Sequence, residues 1–131
     1  MKKKTTEEFE EELYKIPMGV ILYEINGPLF FGASQKFQEV INDLNHKPAL
    51  LILRMRHVPF IDASAINRLK ELCLQLQSKG TDVIISGANH EVKQELLKEG
   101  LYKILGKYNI HDHIFSAIQR AEKVLEEKAS R

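Results

Sequence analysis

Leu51–Leu69, LILRMRHVPFIDASAINRL, sets the architecture of the whole chain. The apolar run Ala49–Leu53 reads as a strand buried on both faces, because it offers no polar side to water. His57, Val58 and Pro59 lead from it into Asp62-Ala63-Ser64 and an amphipathic helix. The first N–H groups of a helix lack intrahelical partners and carry partial positive charge, so Asp62 is expected to cap this one, with Ser64 exposed in its first turn. A strand, a short loop and a helix start thus meet at one point, which suits docking or switching.

Upstream, Val20–Ile25 reads as a strand, and Asn26-Gly27 is a hairpin turn signal leading through Pro28 into Leu29–Phe31. Ser34 is expected to cap a first helix, with Phe37, Val40, Ile41 and Leu44 on one face, running to about Asn45. His46-Lys47-Pro48 stops it. Downstream, Ile66, Leu69, Leu72, Cys73 and Leu76 line one side of a second helix that Gly80 ends. Asp82–Ser86 is a β-branched strand, and Asn89 can cap a third helix ending near Gly100. Leu101, Tyr102, Ile104 and Leu105 form an apolar patch before a turn at Gly106-Lys107-Tyr108-Asn109. Ser116 and Gln119 match a capping box for a last helix with Ile118, Ala121, Val124 and Leu125 inward; His113–Phe115 reads either as a short strand or as an earlier turn of that helix. The class is α/β: a mostly parallel sheet with an N-terminal antiparallel hairpin and about four helices packed on it.

With 131 residues and 44% hydrophobic content, the chain suits one domain with a real core. Residues 1–17 read as a charged linker or docking helix, with Phe9, Leu13 and Ile16 as a thin apolar stripe, and 18–131 as the domain. Nineteen basic and 18 acidic residues leave a net charge of +1, no field to steer nucleic acid. Cys73, the single cysteine, sits on the apolar side of its helix and is expected in the core, in a reducing compartment. No run approaches the roughly 18 apolar residues of a membrane span, and the chain itself is expected to be soluble.

PFIDASA at Pro59–Ala65 resembles the signature loop of STAS domains, modules shared by sulfate transporters and anti-sigma factor antagonists, with Ala65 where that loop usually has Gly. NGPLFFGA at Asn26–Ala33 is similar to the segment found in STAS domains at the cytoplasmic C-terminus of SulP anion transporters; antagonists usually carry a polar segment there. The resemblance runs from about Met18 to Leu125. It implies a regulatory and assembly domain of a SulP-type anion (sulfate) transporter, at the cytoplasmic face of the membrane, acting by protein–protein interaction. The partners it implies are the transmembrane domain of the same polypeptide, a second copy, and a cytosolic regulatory protein, with Pro59, Phe60, Asp62 and Ser64 as the partner-binding loop. The alternative it implies is a free-standing antagonist switched by phosphorylation of Ser64. The transported ion is not legible in this chain.

Other chemistry finds little support. His57, His111, His113, Asp62 and Asp112 have no defined metal-ligand spacing, so no metal is expected. Ser64 lacks a G-x-S-x-G setting or an evident base, and no enzymatic role is expected. No cofactor is expected; a nucleotide stays open through the resemblance and through helix starts read at Ala63, His90 and Ala117, although neither phosphate-binding glycine motif occurs.

Overall fold

The apolar run does become the centre of a sheet. In the computed structural model, which describes residues 15–44 and 47–130, the chain runs β1 (Val20–Asn26), α1 (Ser34–Asp43), β2 (Leu50–His57), α2 (Ala63–Ser78), β3 (Asp82–Ser86), α3 (His90–Lys98), α4 (Leu101–Leu105), β4 (Ile110–His111) and α5 (Ile114–Ala129). The strands lie in sequence order, and every adjacent pair is parallel.

Successive side chains of a strand point to opposite faces, and β2 shows what that does to an unbroken apolar run. Leu51, Leu53 and Met55 join Val83 and Ile85 in one core, with Phe37 and Val40 of α1, Ile66, Leu69 and Cys73 of α2, and Val92 and Leu96 of α3. Leu50 and Ile52 join Ile84 in a second core under Ile114, Ala117, Ile118, Ala121 and Val124 of α5. Right-handed crossovers between neighbouring parallel strands carry α1 to α4 to one face, and α5 covers the other. Leu50 to Leu53 are therefore fully buried.

The expected N-terminal hairpin does not form. Gly27, at φ 81°, turns the chain out of β1 after a bulge between Glu24 and Asn26, while its N–H still donates to His57 O at 2.9 Å. The chain then keeps its direction: Leu29 N–H donates to Phe60 O at 2.9 Å, and Asp62 N–H donates to Leu29 O at 3.0 Å, a parallel bridge. A two-residue hairpin turn favours positive φ at both central residues or at the first, whereas here the positive value falls on Gly27 alone and is used to swing Leu29 beside the loop after β2.

Two caps also differ. Ser34 is the first residue of α1, and the cap position is Ala33, which makes no side-chain cap bond. Helix α5 starts earlier than its S-x-x-Q pattern implies, at Ile114 rather than near Ala117, because His113 Nδ1 accepts from Phe115 N–H and Ser116 Oγ donates to His113 O. Asp62 and Asn89 cap as expected, accepting from Ala65 N–H and Val92 N–H. The charged segment 1–17 lies outside the described residues except for residues 15–17, and Asn45 lies outside them too.

Candidate functional site: the loop after the second strand

Buried Val58 and Ile61 anchor the loop after β2 and leave Pro59 and Phe60 outside. Asp62, in extended backbone at the head of α2, gathers three donors. Its Oδ1 accepts from Ala65 N–H at 2.8 Å and from Ser64 Oγ–H at 2.9 Å; its Oδ2 accepts from Phe31 N–H at 3.1 Å. The Ala65 N–H bond, aided by those from Phe31 and Ser64 and opposed by desolvation, holds the Asp62 carboxyl below its ordinary range. Ser64 Oγ in turn accepts from Gly32 N–H at 2.9 Å. Asp62 and Ser64 thus grip a segment more than 30 residues upstream.

That segment is strained. Phe31, Gly32 and Ala33 are consecutive at φ 53°, 81° and 46°, the left-handed region that only glycine enters freely. Non-glycine residues persist there when the surroundings over-determine them, which the bonds to Phe31 N–H and Gly32 N–H do. The strain presents aromatic surface: Phe31 is 88% exposed, and its ring stands edge-on to the half-exposed Phe30 with centroids 5.0 Å apart. Phe60 is exposed on the neighbouring segment. Exposed rings grouped at one end of a sheet are the usual mark of an interaction surface.

Beside the loop, Pro59–Ala63 and the first turns of α3 enclose an open cleft of about 530 Å³. Asp62, Glu91 and Glu95 give it acidic walls, with His90 at the rim. The cap bond from Asn89 already engages one of the first N–H groups of α3. Carboxylates around a capped helix start suit an apolar or basic protein surface better than a phosphate.

Pro59, Phe60 and Asp62 therefore stand together on the cleft, with Ser64, exposed as expected, on the side facing Gly32. Ser64 bonds to Asp62 and Gly32, with no histidine in hydrogen-bond contact among the described residues. The histidines are dispersed: His57 lies 3.5 Å from Glu24, while the two ring nitrogens of His111 meet Ser116 Oγ and Tyr108 O. Among the described residues no group of three His, Cys, Asp or Glu is placed to hold a metal. Cys73 is buried in the core, and burial pushes its thiol pKa up to about 12. The grip on the Phe31–Ala33 segment joins loops distant in sequence, and its one local sign is the run of small residues after Phe31.

A four-stranded parallel sheet with α5 alone on one face and a gripped loop at the head of α2 defines an α/β module. The chain belongs to the STAS domain family, whose model matches residues 13–121. It is 33% identical over 95 residues to the "Putative sulfate transporter YvdB" of Bacillus subtilis, an alignment covering 72% of this chain and 18% of that protein. A sulfate transporter family protein from Wolinella succinogenes superposes with a TM-score of 0.76 at 36% identity, covering 85% of this chain and 91% of that one. The STAS domain of a SulP transporter from Vibrio cholerae superposes with a TM-score of 0.74 at 33% identity, covering 91% and 95%. This chain spans about a fifth of the curated relative's length.

Proposed function

We propose that the chain is the cytoplasmic STAS domain of a SulP-type anion transporter and that it regulates and assembles the transporter through the loop gripped by Asp62 and Ser64. The observation that carries this reading is Phe31: a ring left 88% exposed on strained backbone, held by bonds from a second loop, beside an acidic cleft. A self-sufficient fold gains nothing from that arrangement, whereas a docking surface gains a rigid apolar anchor with little ordering left to lose on contact. The partner is the transmembrane domain of the same polypeptide; a second copy and a cytosolic regulator are further occupants of the same end. Among the described residues no helix is long and apolar enough to cross a membrane, so in this reading the spans belong to the rest of the polypeptide.

The exposure of Ser64 also favours the antagonist reading, in which phosphate added there breaks the Gly32 bond and repels Asp62. Anion uptake by the full-length transporter separates the two. Phe31→Ser and Ser64→Glu should each depress uptake or surface assembly while the isolated domain keeps its cooperative melt. Wild-type uptake with both variants would remove the transporter reading.

A further inference from the structure

At the β4 edge of the sheet, the turn between α4 and β4 and one flank of α5 enclose an open cleft of about 750 Å³, built from residues separate from the docking loop. Lys107, Arg120 and Lys123 line it against a single carboxylate, Glu127, in a chain whose net charge is only +1. None of these four makes an ion pair within the described residues. Elsewhere on this surface cations do find partners: Lys93 meets Asp112 at 2.7 Å and Lys128 meets Asp82 at 3.0 Å.

Two of these cations are positioned by one ring. Lys107 Nζ lies 5.0 Å, and the Arg120 guanidinium carbon 5.7 Å, from the Tyr108 ring centroid. Asn109 locks the set: its Nδ2 donates to Leu105 O at 2.6 Å, and its Oδ1 accepts from Arg120 Nε–H at 2.9 Å. With Nε so engaged, the terminal amino groups of Arg120 are oriented and left as a pair of donors. His111, which also lines the cleft, braces the turn, donating from Nε2 to Tyr108 O at 2.7 Å, with Nδ1 3.2 Å from Ser116 Oγ. Ser116, in the first turn of α5, closes one end of the cleft.

We propose that this cleft binds a phosphate-class oxyanion, either a free phosphate compound or the phosphate of a lipid headgroup. Arg120 supplies the paired-donor contact, and Lys107 and Lys123 act as point charges. An arginine fixed through Nε by a side chain that is itself tied to backbone enters binding pre-organised, which a mobile surface cation does not.

The test uses the 131-residue chain labelled with nitrogen-15, titrated with inorganic pyrophosphate at low ionic strength, and sedimented with phosphatidylcholine vesicles with and without phosphatidylglycerol. Saturable amide shifts confined to residues 107–123, with affinity falling about tenfold or more in Arg120→Gln/Lys123→Gln, are expected for a free ligand. Retention on phosphatidylglycerol vesicles that the same double variant loses, without a pyrophosphate response, assigns the headgroup instead. Asn109→Ala keeps every charge but releases Arg120, and should weaken whichever response is seen. Absence of both responses, shifts centred on other residues, or responses indifferent to the double variant would overturn the proposal.

Discussion

Ala33→Gly should stabilise the protein, although it removes a methyl group that packs partly against the core. Ala33 stands at φ 46° as the cap residue of α1 without a side-chain cap bond. A left-handed non-glycine residue costs about 1–2 kcal/mol. Against this relief stands the greater freedom that glycine gives the unfolded chain, about 0.4–1 kcal/mol. Half-burial of the methyl is lost as well, about 0.4 kcal/mol at ~0.8 per buried CH₂. The balance is a gain of about 0.5 kcal/mol, which raises a urea midpoint by roughly 0.2–0.5 M at an m value of ~1–3 kcal/mol/M. Equilibrium unfolding followed by circular dichroism reads this directly, with unchanged m as the control for two-state behaviour. A loss of about 1 kcal/mol or more would mean that Ala33 is not strained and that Asp62 and Ser64 hold the segment against nothing.

Acid should loosen the same grip. The folded Asp62 carboxyl lies below its unfolded value of 3.8, so its contribution is present above that pH and is lost as pH falls through the folded value; the Phe31 and Ala65 amide resonances should move in that acid range, and invariance there would contradict the bonds to Asp62. Leu53→Ala, in the fully buried strand β2, should cost about 2–5 kcal/mol of a total near 5–15, measured by the same denaturation, and a cost below about 1 would refute its place in the core. Cys73, buried and with its thiol pKa pushed up to about 12, should label with a thiol reagent at neutral pH only as fast as the protein opens, so rapid native labelling would contradict the packing of α2.

What sequence made legible was what is local. The unbroken Ala49–Leu53 run could only be a strand with two buried faces, and DVIIS at Asp82–Ser86 matches β3 end to end. Asp62 and Asn89 cap because an Asp or Asn before an amphipathic run has an orphan N–H within reach of its own side chain. Non-local pairings were misread or missed. Asn26-Gly27 carries a hairpin signal, but pairing of Asn26 with His57 and of Leu29 with Ile61 overrides it, a competition no window of local sequence contains. Strand β4 has two residues, too few to show a period, and exists because Ile85 and Ser86 offer it an edge. The patch after Gly100 became the short helix α4. At the candidate site, Pro59, Phe60, Asp62 and Ser64 were legible as one loop, whereas the strained segment that Asp62 and Ser64 hold was not.

On the proposed transporter reading, site-directed cross-linking in the full-length polypeptide tests the proposed docking surface most directly. Phe31→Cys puts a thiol at the most exposed point of the aromatic end, and buried Cys73 does not compete for the reagent. Leu74→Cys, at a half-exposed position on α2, serves as the reference. A thiol-to-lysine reagent should join position 31 to the cytoplasmic ends of the membrane spans and leave position 74 largely unjoined. Cross-links from position 74 with none from position 31 would place the interface on the helical face and contradict the role given to the loop.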